Sequence, residues 1–517
     1  MADFELLVGL LLVSVVLAGL ARRIGVPYPA FLALGGVLLA LIPGTPRLEM
    51  RPDLALALFV APVLLDSSYD ASPRDLKDDW VALTGLVLVA VGVTTFAVAW
   101  VARALVPSMP WAVAVALGAI VAPPDAAAAT AVLSQVKPPH RIVTILEGES
   151  LLNDASALLI YRVAVGMTLS HGALSFASVA PTFLLAVVGS AGFGILWGAV
   201  TLRLTDKVRD VPSSIVLQFV STFGIWILAD RLGLSSVLSM VCFAVFVARR
   251  APERTPARMR VPSYAVWDTV VFVANVLAFI LIGLEIRPVL DGLAPALRVH
   301  YFVVAGAEVL TVIVVRIAWV MAYNTVDQLR VRWFGFHPRR PTPPPTIRGG
   351  VIVSWCGMRG VVTLAAALAL PAGVNGGFPY RDLIVLTAFS VVLGTLVVQG
   401  LTLKPLLRAL DLRDDDPVGR EVELARARAL RAALTSIEGE ASPAADAVRH
   451  AYAALLQNSV DGSDAGSDVS VEEEIGRRAL AAARHAVSEM RARAEIGDDA
   501  FHRLEEDLDR IELSAAS

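Results

Sequence analysis

Thirteen apolar stretches leave this chain few folds to choose from. They lie near residues 4–20, 27–43, 53–67, 80–104, 110–134, 142–166, 178–202, 213–230, 234–248, 265–286, 299–322, 349–371 and 383–403. Most approach the roughly 20 residues that a helix needs to cross a bilayer. The chain therefore predicts an all-α polytopic membrane protein with about 13 transmembrane helices. Its balance agrees: 56% of 517 residues are hydrophobic, 18% are charged and the mean hydropathy is +0.67, far too apolar for a soluble enzyme of this size. Residues 1–20 lack a basic leader and a small-residue cleavage site, so they read as a first span rather than a removed signal peptide. Cys242 and Cys356 both fall in apolar runs, which predicts neither a disulfide framework nor a cysteine metal site.

Loop charge sets the orientation. Nineteen lysines and arginines, from Arg22 to Arg348, fall in odd-numbered loops and seven, from Arg47 to Arg381, in even-numbered ones. Short basic loops stay on the cytoplasmic side. The N-terminus is thus expected outside and the C-terminus inside. Residues 1–405 read as the membrane domain and 406–517 as a cytoplasmic acidic helical tail. From Asp411 onward the tail holds 24 acidic and 13 basic residues, a net charge of −11 against +8 for the rest. It contains helical repeats separated by DGSDAGSD, and the stretch HPRRPTPPP, His337–Pro345, reads as a stiff cytoplasmic linker.

Two spans are interrupted. In GAIVAPPDAAAATAVL, Gly118–Leu133, adjacent prolines remove two backbone donors and disfavour the α conformation before them, so a helix should break near Ala122–Pro124. Such a break is tolerated at membrane depth only where it is buried or lines a cavity. It frees carbonyls to coordinate a cation and puts Asp125 at a new helix N-terminus, where a carboxylate offsets the dipole. The counterpart is GGVIVSWCGMRGVVTLAAALAL, Gly349–Leu370, with Gly357 and Gly360 around Arg359. These are the fifth and twelfth segments, seven apart and so oppositely directed. Paired interruptions at inverted positions point to a transporter built from two inverted six-helix repeats with a midplane site.

Between them lies EGESLLND, Glu147–Asp154, three carboxylates within two turns of an apolar segment. Ionisable residues there usually face the bundle interior with a partner. Glu147, Ser150 and Asp154 share one helical face, while Glu149 and Asn153 form a second about 100° around. The first face can present Ser150 and Asp154 to an ion. The second predicts a Glu149–Arg359 bridge holding the halves together, since Arg359 is the one arginine near the middle of a segment. Asp66, ending the third segment, is a further candidate for the site. Asp268 with Asn275, and Glu308 with Arg316, read as interhelical glue or a structural ion pair.

The stretches EGESLLNDASALLIYRVAV, APPDAAAATAVL, GMRGVVTLAAALAL and FILIGLE, Phe279–Glu285, resemble the monovalent cation/proton antiporter family, in the bacterial NhaP-like branch related to sodium/proton exchangers. The resemblance covers about residues 1–405. It implies that Asp154 is the ion- and proton-binding carboxylate with Ser150 as a ligand, and that Asn153 stands before it as in the exchanger branch. It implies that Asp66 takes the place of a glutamate, that Glu149 and Arg359 match the family's charged pair, and that Asp125 is the acidic residue at the helix crossing. Pro124 stands where the family commonly has threonine, which leaves a carbonyl but removes a hydroxyl. The expected cation, Na+ with Li+ or K+ as alternatives, would sit at Asp154, Ser150 and Asp66. The resemblance further implies a multi-pass protein of the bacterial inner membrane, a homodimer, and a role in sodium transport and pH homeostasis.

One buried carboxylate that holds a proton or a cation, rarely both, is sufficient for coupled exchange. Oxygen ligands suit a hard cation. If Asp154 alone changes protonation, exchange is one for one and electroneutral. If Asp66 also titrates, the balance changes. Alternatives are K+/H+ exchange and an ion-coupled organic solute transporter, although the site lacks convergent basic or aromatic groups for an organic substrate. An intramembrane aspartyl protease would need both Tyr-Asp and Gly-x-Gly-Asp motifs; Tyr69–Asp70 supplies the first dipeptide, but Gly-x-Gly-Asp is absent. No enzyme activity, cofactor or nucleic-acid partner is expected, and no phosphate-binding or dinucleotide motif occurs in a plausible context.

Overall fold

The computed structural model describes residues 2–24, 26–43, 52–70, 74, 83–133, 138–169, 176–334, 346–371, 377–410, 417–440, 442–461 and 472–515. The linker at 337–345 and most of DGSDAGSD lie outside them. Every regular element among these residues is a helix.

Each apolar segment coincides with a helix or a pair of half-helices. In chain order these are α1 (Ala2–Ile24), α2 (Tyr28–Leu41), α3 (52–70), α4 (Gly85–Leu105), the halves α5a (Trp111–Val121) and α5b (Ala126–Leu133), α6 (His140–Leu169), α7 (Phe176–Thr205), α8 (Val211–Arg231), α9 (Ser236–Ala248), α10 (Ala257–Leu284), α11 (Pro295–Phe334), the halves α12a (Ile347–Trp355) and α12b (Val361–Leu368), and α13 (Arg381–Leu410). Among the described residues seven helices are long and apolar enough to cross a membrane, and four shorter ones are apolar. Outside these eleven stand α6, which carries the carboxylates, and the half-helices α5b, α12a and α12b. Outward faces are bare hydrocarbon, with Leu12, Leu38, Phe96, Leu196 and Val299 exposed, as in a protein whose solvent there is lipid.

Small residues set the closest crossing. A Cβ on Gly36 would lie 2.2 Å from the Ile280 carbonyl and one on Gly283 2.1 Å from that of Ala33, so α2 and α10 touch backbone to backbone. The FILIGLE stretch thereby owes its glycine to packing. Residues 56–60 of α3 and 85–90 of α4 are π-helical, wound one residue wider than α.

The tail folds on itself. Its helices α14 (Pro417–Ser436), α15 (Pro443–Asp461), α16 (Glu472–Ala492) and α17 (Asp498–Ala515) enclose a separate core that includes Leu430, Ile437, Tyr452, Val487, Met490, Phe501 and Leu504. The bundle rests on the membrane helices, with α17 against α10.

Candidate functional site

The two interruptions meet. After α5a ends at Val121 the chain passes through Pro123 and Pro124, which provide no N–H for continuing the helix, and α5b begins at Ala126. α12a ends at Trp355 and α12b begins at Val361. At the crossing the Asp125 amide donates to the Met358 carbonyl at 2.7 Å. Gly360 lies so close to Asp125 that a Cβ there would stand 1.5 Å from a carboxylate oxygen.

A helix ending inside a protein leaves carbonyls without partners. Here guanidinium groups supply the donors. Arg359, 1% exposed, donates from Nε to the Val121 carbonyl and from Nη2 to that of Ala122, both at 3.0 Å, and from Nη1 to the Gly357 carbonyl. A positive charge at the C-terminal end of α5a also suits its dipole. Across the crossing Arg316, on α11, donates to the Val353 carbonyl of α12a at 3.1 Å. Each broken helix therefore has its end held by one buried arginine.

This corrects the expected Glu149–Arg359 bridge. Glu149 pairs with Arg316 instead, through bonds of 2.6 and 2.9 Å to its two oxygens. Arg359 is occupied by carbonyls. Arg316 was undervalued because the apolar segment ends at 322, whereas α11 runs 40 residues to Phe334 and puts Arg316 near its middle. The expected Glu308–Arg316 pair fails for a geometric reason: eight residues along a straight helix span about 12 Å. Glu308 is fully buried, and neither of its carboxylate oxygens has a hydrogen-bond partner among the described residues.

Beside the crossing is a cavity of about 50 Å³, lined by Pro123, Pro124, Asp125, Ser150, Asp154, Asn275 and Thr363 among others. Asp154 is buried. That volume suits a cation with a water or two, at roughly 30 Å³ per water, and admits no drug-sized ligand. Asn153 points toward the break, its amide donating to the Pro124 carbonyl at 3.2 Å, while its own Oδ1 accepts no hydrogen bond among the described residues. Ser156, one turn on, donates to the carbonyl of Val87 in the π-helical part of α4 at 2.8 Å.

Asp66 is not brought into this cavity. It lines a larger one of about 260 Å³ with Tyr69, Gln218, Tyr264, Trp267 and Asp268. The end of α3 is the partition, since Leu64 and Ser67 face the small cavity and Leu65, Asp66 and Tyr69 the large one. Asn275, expected as interhelical glue, and Thr363 both border the small cavity; Thr363 lies within the GMRGVVTLAAALAL stretch, whereas Asn275 carries no motif to mark it. Counting formal charges around the crossing, Glu149 offsets Arg316 and Asp125 offsets Arg359. The sign of the centre is therefore set by Asp154.

Comparison with known proteins adds the following. Residues 10–409 match the family described as "Sodium/hydrogen exchanger, transmembrane". A Mycobacterium tuberculosis protein described as an uncharacterized Na(+)/H(+) exchanger is 31% identical, over 99% of this chain and 96% of its own. A sodium, potassium, lithium and rubidium/H(+) antiporter from Bacillus pumilus is 28% identical over 80% of this chain and 62% of its own. The low-affinity Na(+)/H(+) antiporter NhaS1 of Synechocystis is 27% identical over 82% of this chain and 79% of its own. In three dimensions the chain is similar to the sodium proton antiporter MjNhaP1 from Methanocaldococcus jannaschii, with a TM-score of 0.56 and 18% identity, covering 80% of this chain and 99% of that one.

Proposed function

Because this chain belongs to the sodium/hydrogen exchanger family, we propose that it is a secondary antiporter exchanging one monovalent cation, Na+ first, for one proton at Asp154. The observation that carries this reading is the buried Asp154 in a cavity sized for an ion, between two broken helices. A carboxylate in so dry a place is costly to leave bare, so it holds a proton or a cation. Ser150, the backbone at Pro124 and the orphan oxygen of Asn153 offer further oxygens. Asp66 serves as a carboxylate on the approach. Alternating access then moves one bundle against the other around this site, powered by ion gradients. The thirteen segments cross the inner membrane with the tail in the cytoplasm, and the Glu149–Arg316 pair is structural.

The breadth of ions named for the Bacillus relative favours K+ as the second reading for this chain. Both are tested in reconstituted vesicles with an acid interior, following a pH-sensitive dye as Na+, Li+ or K+ is added outside with the potential clamped at zero. Cation-dependent dequenching in the intact chain, lost in Asp154→Asn, is expected, and its ion order separates the readings. Equal dequenching in folded Asp154→Asn would reject Asp154 as the exchange site.

A further inference from the structure

The large cavity carries negative charge that no cation among the described residues answers. Asp66 of α3, half-buried, lines it, and Asp268 of α10 and Glu506 of α17 line it where they are exposed, at its mouth. Neither Asp66 nor Asp268 makes a salt bridge or a hydrogen bond among the described residues. The cation in the same wall is engaged elsewhere: Arg260, at the start of α10, is held by Glu505 at 3.0 Å and by Asp509, whose side chain is fully buried. His502, another lining residue, adds no positive charge near neutral pH, because burial pushes it down to about 4, with Arg491 acting in the same direction.

Beside these carboxylates the walls are aromatic, with Tyr69, Phe243, Tyr264 and Trp267. Trp267 is fixed in place. Phe219 stacks on it with ring centroids 4.7 Å apart, its Nε1 donates to Gln218 Oε1 at 2.8 Å, and the Gln218 amide donates in turn to the Ser263 hydroxyl at 3.1 Å. Tyr69 is held between His502, stacked at 5.8 Å, and Tyr264, edge-on at 6.3 Å. Rings locked this way leave little ordering to be done when a ligand arrives. Aromatic faces attract ammonium groups and also cover hydrocarbon. Size points the same way: roughly 150 Å³ is enough for a benzene ring, so about 260 Å³ takes a ring with a charged arm. An inorganic ion is the poorer fit, since no three His, Cys, Asp or Glu side chains among the described residues could hold a metal ion, and about 50 Å³ at Asp154 is the volume that suits a bare cation.

We propose that the large cavity is a binding site for a small organic ammonium ion, its charge on Asp66 and its hydrocarbon body against Tyr69, Tyr264 and Trp267. Asp268, at the mouth, draws the cation in. Ligands of this class are short primary amines with an alkyl or aryl body, protonated at neutral pH. The site goes beyond exchange at Asp154 and does not depend on it.

The test titrates benzylammonium into the full chain in detergent, by calorimetry at neutral pH and constant ionic strength. Saturable binding of one ion per chain is expected, and none of benzyl alcohol, which has the same ring without the charge. Asp66→Asn should weaken binding roughly ten- to hundredfold, the loss of one contact to a charged group. Thr205→Phe, which fills the chamber without changing a charge, should abolish binding and decides the matter if Asp66→Asn does not fold. Asp154→Asn should bind as the intact chain does. Absence of saturable binding in the intact chain, equal binding of benzyl alcohol, or unchanged affinity in either folded chamber variant overturns the site. Loss of binding in Asp154→Asn would put the amine in the small cavity, and that overturns it as well.

Discussion

Arg316 and Arg359 show how much a single charged side chain does where water is absent. Removing one member of a buried pair leaves the other charge uncompensated, at roughly 3–5 kcal/mol. Arg316→Gln and Glu149→Gln are each expected to cost about that much, and the double variant less than the sum. Melting of the detergent-solubilised protein measures it, and strict additivity would refute the pairing. Arg359→Lys should fail differently, since one ammonium cannot reach the Val121, Ala122 and Gly357 carbonyls as a planar fork does. We expect a drop of several degrees in melting temperature with Glu149 still paired. Residues whose cost is intrinsic were legible in the sequence: Asp154 and Ser150 declare themselves by lying in an apolar segment, and they share the small cavity with Asp125. Partner choice was not legible. Which arginine meets Glu149 depends on how far α11 extends past its apolar part, and the polar end of a long helix leaves no hydropathy signal.

At the scale of the element, the paired breaks carry the site. Proline chemistry located the first to within a residue or two, because two missing donors have nowhere to hide. The second was marked by Gly357 and Gly360, yet what the latter glycine does appears only in the crossing. Gly360→Ala places a Cβ against the Asp125 carboxylate, so the Asp125 side chain must leave its position at the crossing. It is expected to lower cation-driven exchange at least tenfold while the membrane helices stay assembled, as judged by size-exclusion chromatography and exchange assay; normal exchange would mean that the crossing relaxes freely. The third segment was harder. Asp66 lies at its end, but the π-helical turn at 56–60 changes which residues face which side by an amount no apolar pattern records. Its carboxylate accordingly faces the larger chamber.

For the whole molecule, the bundle formed by the tail was legible as amphipathic helices, whereas its seat was not, because Arg260 and Asp509 are 249 positions apart. Two groups near that seat titrate in opposite senses. Burial pushes His502 down to about 4 from 6.5, with Arg491 acting in the same direction and Asp498 against it. Burial pushes Glu505 up to about 7 from 4.5, with Arg260 and other arginines opposing and Asp509 assisting. Acid therefore weakens docking through His502, which must gain a proton when released, and strengthens it through Glu505, which must lose one. Between about pH 4.5 and 6.5 the two nearly cancel. In His502→Gln the groups left titrating on Arg260 are Glu505 and Asp509, both pushed up by burial, so docking should tighten as pH falls from 7 to 5, by about 1.4 kcal/mol per pH unit for each proton taken up. Limited proteolysis of the tail across that range measures it, and a flat profile in the variant would refute the opposition. The charges around the helix crossing have a consequence for the economy of a gradient. With Glu149 paired to Arg316 and the formal charge of Asp125 counted against that of Arg359, the proposed exchange at Asp154 would leave a loaded centre neutral and an empty one with a bare negative charge. On that reading an empty carrier would be the species least able to reorient through a low-dielectric interior. On the proposed exchange at Asp154, slippage would be suppressed by the protein's own electrostatics, and scarcity of one ion would stall the machine instead of draining the other.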